Sequence, residues 1–463
     1  MNDSAKRQKL IKWFFIISFI GIGIYLLVFN FFQSKYISSN SYNKRLRNEN
    51  ADIIRGDIRD RNGVILASSK VYKNTIQRNY AYGRHFSHVI GYSGKALGST
   101  GIEALYNQEL SSANTIETIK SKAKGERIKG NTVKLTLDKI LQTYSSELLK
   151  GKKGAIVALN PKTGEILALI SKPDYNPSNV TENWSNLIED KNSPLLNRAI
   201  DGIYPPGSIF KVITLSAALN NNLEKYEIAC NGKINIGGYE IKDSNDKGHG
   251  QISLNKAFTL SCNSYFVSLG LKLGNNTMFN EATKYKFNKG IQGDIKSKVS
   301  SFTKKKDDKS LAQQSIGQGD VLITPIHAAA IAAIIANDGV LVSPYIVSEI
   351  TNMDEKLIKS FKAKTGEKII NKDKAEIIKD MMVDVIQSGT GKSARIRGVS
   401  VAGKTGTAEN PHGKPHSWFI GFAPSENPQI AIAVIVENGG SGGSIAAPIA
   451  NKVMKKALVN IKK

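Results

Sequence analysis

Tyr204-Pro-Pro-Gly-Ser-Ile-Phe-Lys211 is the stretch from which the organisation of this 463-residue chain reads outward. Pro205 and Pro206 resist continuing any preceding helix, and Gly207 supplies a flexible joint. The run Ser208 to Leu219 that follows is mostly apolar and reads as a buried helix with Ser208 in its first turn. Residues three apart on a helix are surface neighbours, so Lys211 is expected beside the Ser208 hydroxyl. The helix N-terminus also turns free N–H groups and partial positive charge toward that oxygen. Together these features describe an activated nucleophile. The spacing alone is weak, because Ser-x-x-Lys also occurs at Ser41, Ser121, Ser244, Ser253 and Ser301. Read by itself, Ser208 is a helix cap and Lys211 a solvated charge.

Composition sets the frame for the rest. The length accommodates roughly two or three domains, and a hydrophobic fraction of 41% with 8% aromatics suits a folded chain. A formal net charge of +25 predicts attraction to polyanions. No basic tract interleaved with aromatics appears, and the longest charge run, Lys304 to Lys309, is mixed in sign. An anionic membrane face or wall polymer is therefore favoured over nucleic acid. The two cysteines, Cys230 and Cys262, form no Cys-x-x-Cys motif, and spacing leaves open whether they bridge. His412 and His416 lie four apart in a Pro/Gly-rich loop without further ligands, so no metal or other cofactor is expected.

Trp13 to Phe32 contains no charged residue, and a helix of that length spans about 30 Å of hydrocarbon. Gln33-Ser-Lys-Tyr-Ile37 follows instead of a small-residue cleavage site, which favours an uncleaved anchor over residues 13–34. Lys6, Arg7, Lys9 and Lys12 precede it, so residues 1–12 are expected in the cytoplasm and everything after the anchor outside it. Residues 35–150 read as a first extracytoplasmic module. It has an Asn62-Gly63 turn before an apolar strand, a glycine-marked turn at Gly98–Glu103, and a strand from Val133 to Leu137 before a helix capped by Asp138. Residues 151–463 read as one α+β domain. Ala155–Asn160 and Glu165–Ile170 form a β-hairpin around Pro161–Gly164, and mostly helical patterns run from Ser208 to about Ala336. Apolar strands follow at Ser417–Ala423 and Ile430–Val436, then a closing helix over Ala447–Val459. Strands at both ends with helices between imply a sheet that joins the ends.

Two further stretches set Ser208 apart from the five other matches. Ser261-Cys-Asn263 reads as a short connection between two helical runs, with Asn263 itself a candidate helix cap. Val401-Ala-Gly-Lys-Thr-Gly-Thr-Ala408 leads as a small-residue strand toward Trp418. Lys-Thr-Gly also occurs at Lys162 and Lys364, but only the Lys404 copy continues with Thr. In this order and context, Ser-x-x-Lys, Ser-x-Asn and Lys-Thr-Gly resemble the serine penicillin-recognising enzymes, which use the three elements around one cleft.

Within that superfamily the chain resembles a class B penicillin-binding protein, a membrane-anchored peptidoglycan D,D-transpeptidase. The resemblance covers nearly the whole chain after the anchor. Arg55–Gly63 and Gly98–Glu103 match the pedestal (dimerisation-type) module. Ala155–Ile170, His249–Ile252, Gly317–Gly319 with Thr324-Pro325, and Gly389–Gly391 match the transpeptidase domain. The resemblance implies a mostly antiparallel central sheet flanked by helices. It also implies Ser208 as nucleophile, Lys211 as its base and Ser261 as proton relay. Asn263, Lys404, Thr405, Gly406 and Thr407 would bind substrate, with the backbone of Ser208 and Thr407 forming an oxyanion hole. Stem peptides and β-lactams are the implied ligands, and a polytopic SEDS-type glycosyltransferase the implied partner in cell-wall and cell-shape synthesis.

The rival readings share the fold or only the binding. A class A β-lactamase needs a deacylating glutamate after the second motif, yet no Glu occurs from Ala282 to Ser348. A D,D-carboxypeptidase differs only in using water as acceptor. A β-lactam sensor would need a cytoplasmic signalling domain, and an inert scaffold is expected to have lost one of the motifs. Cys262 as nucleophile lacks an identifiable histidine base and is expected to be a packing residue.

Overall fold

Gly154-Ala-Ile-Val-Ala-Leu159 carries no polar side chain on either face, the pattern of a strand covered on both sides. In the computed structural model it is the strand β1 of a five-stranded sheet. The structure describes residues 3–29 and 53–461, apart from short stretches at 73–74, 95, 114–117, 119–122, 126, 363–364 and 412. His412, the Ser41 and Ser121 copies of the serine motif, and the end of the expected anchor lie outside those residues.

The remaining elements follow in chain order. β2 spans Ile166–Lys172, α1 being the N-terminal helix Asp3–Val28. α2 is Lys211–Asn220, β3 Glu227–Cys230 and β4 Gly250–Ser253. α3 is Leu254–Leu260, α4 Asn263–Lys284 and α5 Pro325–Ala336. β5 is Ala402–Ala408, β6 His416–Ala423, β7 Ile430–Val436 and α6 Ala446–Ile461.

The sheet runs β5-β6-β7-β1-β2 with every neighbouring pair antiparallel. Val157 faces Ala433 across the β1–β7 pair, so residues far apart in sequence close one sheet, as the strands at both ends implied. Side chains alternate between two cores. Ala155, Val157 and Leu159 join the core that holds α2 to α5, whereas Ile156 and Ala158 join the core under α6. Apart from His327, α5 is apolar around its circumference, and it is fully covered, which is what an all-round hydrophobic helix requires.

The stretch from 227 to 253 departs from the helical expectation. β3 pairs with β4, and Lys233–Ile236 pairs with Tyr239–Lys242. Gly237 and Gly238 close that second hairpin with φ of +55° and +83°. Two successive positive φ angles are the type I′ turn that favours Gly-Gly. The strands are four residues long, too short for their alternation to stand out against the helices on either side.

The pedestal is a second sheet, in the order Leu357–Ser360, Val347–Thr351, Thr132–Leu135, Ile58–Arg59, Ile65–Tyr72, Thr75–Tyr80. Two of its six strands come from residues 347–360, so a boundary at 150 follows chain order but not the sheet. As expected, Asp138 caps the following helix by accepting from Leu141 N at 2.8 Å. Glu103 is fully buried and paired with Arg55 at 2.5 Å and Arg78 at 2.7 Å. Burial raises its pKa, but the two guanidiniums outweigh that and hold the carboxyl below its usual range. Glu103→Gln leaves both arginines without their counter-charge and is expected to cost about 3–5 kcal/mol, measured by denaturant unfolding of the detergent-solubilised chain. This contribution is present above the ordinary carboxylate pKa and is lost as pH falls through the depressed folded value.

Among the described residues one helix is long and apolar enough to cross a membrane, Lys6–Val28 with mean hydropathy 2.2. It fits a single-pass anchor.

Candidate active site

Gly207 has a φ of +54°, and a Cβ there would sit 2.5 Å from the Thr407 carbonyl oxygen. Only glycine allows the serine loop to lie this close to β5. Gly207 N donates to Gly317 O at 2.8 Å, and Trp418 Nε1 donates to Pro205 O at 3.0 Å. Tyr204 Oη donates to Glu437 at 2.8 Å, and Arg198 holds the same carboxylate at 2.7 Å. The loop is therefore pinned on both sides. Ser208 lies in a 3-10 turn, Gly207–Phe210, and α2 begins at Lys211. The sequence placed Ser208 inside the helix; the tighter turn follows from the left-handed Gly207.

Lys211 is fully buried. Among the described residues, the hydrogen bonds of its Nζ go to Ser261 O at 2.7 Å, Asn263 Oδ1 at 2.7 Å and Ser261 Oγ at 3.3 Å, with none to Ser208. Lys404 is also fully buried and donates to Ser261 Oγ at 2.9 Å and Thr405 O at 3.1 Å. One hydroxyl is thus bracketed by two amines. Burial lowers the Lys211 pKa to about 8, opposed by the nearby Cys262 and Asp243. Burial also drives Lys404 well below its ordinary value, and the Lys211 charge adds to the effect. A hydroxyl can accept from one amine while donating to the other once that amine is neutral. Ser261 can therefore pass a proton in either direction.

Ser261 takes the left-handed conformation, φ 60° and ψ 38°, as the C-cap of α3. Such a conformation costs a non-glycine residue roughly 1 kcal/mol or more and concentrates at functional sites. Asp243 helps to hold the turn. Its Oδ1 accepts from Asn263 N, and its Oδ2 accepts from Ser264 Oγ at 2.5 Å. Cys262 caps α4 through its sulfur, which accepts from Tyr265 N at 3.3 Å. Burial pushes the Cys262 thiol above its ordinary range, and Asp243 adds to this, which fits a neutral thiol rather than a nucleophile. The two cysteines are free thiols.

Ser208, Ser261, Asn263, Thr390, Thr405 and Thr407 line one cleft of about 710 Å³. Thr405 and Thr407 are two apart on β5 and share a face. Gly406, between them, packs against Pro206 O and Ile209, where a Cβ would come within 3.0 Å of both. Lys404 does not open onto the cleft; its amine stands behind Ser261. Three contributors were not picked out as site residues from sequence. Thr390 Oγ1 lies 2.6 Å from Thr405 Oγ1, inside the Gly389–Gly391 match. Gln318 lines the cleft from the Gly317–Gly319 match. Asp243 carried no local signal, since its role depends on a hairpin folding back onto α4.

Comparison with known proteins adds three findings. Residues 154–455 match a family model described as the penicillin binding protein transpeptidase domain, and residues 55–133 one described as the penicillin binding protein A dimerisation domain. The chain is 32% identical over 450 residues to the peptidoglycan D,D-transpeptidase MrdA of Acinetobacter baumannii, a match covering 83% of this chain and 66% of that protein. It is 37% identical over 330 residues to the peptidoglycan D,D-transpeptidase PbpA of Mycobacterium tuberculosis, covering 66% of this chain and 67% of that protein. In solved structures it resembles the ceftriaxone acyl-enzyme complex of penicillin-binding protein A from M. tuberculosis. There the TM-score is 0.85 at 31% identity, covering 89% of this chain and 99% of the other.

Proposed function

The chain belongs to the penicillin-binding protein transpeptidase family, and from that premise we propose that it cross-links peptidoglycan stem peptides through an acyl-enzyme on Ser208. The observation that carries this reading is Ser261 Oγ, bracketed at 3.3 and 2.9 Å by the buried amines of Lys211 and Lys404 in the cleft that holds Ser208.

The steps follow from the residues. Ser208 Oγ attacks the carbonyl of the penultimate D-Ala while its proton passes to neutral Lys211. Burial favours the neutral amine because it disfavours the charged form. Catalytic hydrogen bonds often tighten only with substrate bound, so the resting contacts of Lys211 are compatible with this role. The developing oxyanion is met by the backbone N–H groups of Ser208 and Thr407, a device worth roughly 3–4 kcal/mol per donor. The proton returns through Ser261 to the departing D-Ala nitrogen as the C–N bond breaks. An acceptor amine on a neighbouring stem then attacks the ester, forms the new amide and restores the Ser208 hydroxyl. Asn263 orients the substrate amide, and Thr405, Gly406 and Thr407 form the wall that receives the terminal carboxylate. Lys404 acts behind that wall, on Ser261. A β-lactam follows the same first step, but its leaving nitrogen stays tethered to the acyl group, which favours a lasting adduct.

The apolar α1 with basic residues before it supports a cytoplasmic N-terminus and a catalytic domain outside the cytoplasmic membrane. The family resemblance supports a polytopic SEDS-type glycosyltransferase as the partner that supplies strands.

Incubation with penicillin, followed by peptide mass mapping, should place a slowly lost adduct on the peptide containing Ser208. With a D-Ala-D-Ala donor and an amine acceptor, a new amide should appear. An adduct elsewhere, or none, overturns the reading; rapid drug hydrolysis marks a β-lactamase, and free acid as the only product marks a carboxypeptidase.

A further inference from the structure

The cleft does not end at Ser208. A second hollow of about 530 Å³ adjoins it, and Gln318, Gly319, Glu409 and Pro415 line both. Pro205, Pro411 and Gly413 supply much of the remaining wall, which is therefore largely apolar. Glu409 is the one formal charge among the described residues that line the hollow, and it is exposed. Among the described residues no hydrogen bond or ion pair engages its carboxylate. Glu240, the other exposed carboxylate on the cleft, is already held by Lys233 at 2.8 Å and Lys242 at 3.5 Å. The wall beside Glu409 is fixed at two points. Asn410 Nδ2 donates to Asn438 Oδ1 at 2.5 Å, and Gly440 N donates to Pro415 O at 2.8 Å.

We infer that Glu409 and this hollow form a subsite for a cationic side chain of the donor stem, on the residue that precedes the two D-alanines. The side chain that fits is an aliphatic stem ending in an ammonium, as in a diamino acid. The inference rests on the transpeptidase reading above and adds the substrate class that the same cleft selects.

The direction of the donor follows from the site. β5 is an edge strand of its sheet, so an extended peptide can lie along it. With the terminal carboxylate at Thr405 and Thr407 and the scissile carbonyl at Ser208, the rest of the donor leaves toward Glu409. Alternate residues of a strand share a face, and Thr407 and Glu409 are exposed where Ala408 between them is buried. Two residues of extended donor cover about 7 Å, which brings the side chain before the alanines to the far end of β5. There its methylenes meet proline and glycine surface while the ammonium stays in water beside the carboxylate. The acceptor amine fits this place less well, because it attacks from where the D-Ala nitrogen departed, on the Thr405 side. In a chain of net charge +25, an unpaired carboxylate at this point is a local preference for cations.

The test uses the full chain in detergent and D-Ala-D-Ala donors that differ only in the residue before the alanines: lysine, Nε-acetyl-lysine or Nε-succinyl-lysine. Release of D-Ala gives kcat/KM for each. Wild type should favour lysine over acetyl-lysine about 2- to 5-fold, the range of a solvent-accessible ion pair, and the ratio should shrink as salt rises. Glu409→Gln should bring the ratio near one, and Glu409→Lys should turn the preference to the succinylated donor. Each ratio is taken within one variant, so a partly unfolded preparation does not alter it. A Glu409 with a merely structural role predicts equal losses for all donors at the wild-type ratio, and that result overturns the inference. A wild type that processes the three donors equally well overturns it too and leaves the transpeptidase reading standing. A wild type that releases D-Ala from none of them overturns the transpeptidase reading, and the inference falls with it.

Discussion

Lys211→Met is expected to slow acylation by penicillin about 10³-fold, within the range of a lost general base, with the fold retained by circular dichroism. The variant keeps the length and apolar stem of the side chain but removes the amine proposed to take the Ser208 proton. It also leaves Ser261 O and Asn263 Oδ1 without their donor, at about 1–3 kcal/mol for each unsatisfied acceptor. Some loss of stability therefore accompanies the loss of rate. Lys211→Arg separates the two effects. A guanidinium can still donate to both acceptors but cannot deprotonate, so a base role predicts that acylation stays low in both variants. The pH dependence gives the same answer by another route. Only the neutral amine can accept a proton, and burial places the Lys211 pKa at about 8. The wild-type acylation rate should therefore rise as pH increases through about 8 and level off above it. In Lys211→Met that rise should disappear. Stopped-flow or gel-based labelling across this range checks both points, and a rise that survives in the variant would assign the titration elsewhere.

Much of this molecule was legible in the sequence because local pattern and global role coincide. The two-sided burial of β1 and β7 shows in their unbroken apolar runs, and their pairing follows from strands at both ends of one domain. Two of the three motifs likewise sit at element boundaries, before α2 and between α3 and α4, and the third lies on β5. What escaped depends on contacts between distant segments. The i, i+3 rule put Lys211 beside Ser208, but it could not show that the buried amine donates to both the carbonyl and the hydroxyl of the left-handed Ser261. Lys404 was read both as a helper of Ser261 and as a cation for a substrate carboxylate; its buried amine donates to Ser261 Oγ. Cys262 was read as packing and is fully buried; what escaped is that Cys230 and Asp243 reach it once the short strands of 227–253 fold back. The Gly237–Gly238 turn was a legible signal for that hairpin, outweighed by the helices around it.

Gly207→Ala is expected to lower acylation by about 10²–10³, the cost of disturbing an oxyanion hole, although the added methyl touches no catalytic side chain. Its Cβ would fall 2.5 Å from Thr407 O and 2.9 Å from Thr407 C, both backbone atoms that cannot rotate away. Either β5 retreats at Thr407 or the serine loop retreats at Ser208. The two proposed oxyanion donors are the N–H groups of those residues, so either movement widens the gap between them. A second cost comes from the φ of +54°, which is unfavourable for alanine by roughly 1–2 kcal/mol. A control isolates that cost. Gly151 has φ +73° in the turn before β1, and nothing lies within 4 Å of a Cβ built there. Gly151→Ala should show the same conformational strain as a lowered unfolding midpoint, with acylation unchanged. Equal losses of acylation in the two variants would attribute the effect to strain alone and remove the argument for close approach. Loss in Gly207→Ala only would locate it at the contact between the serine loop and Thr407.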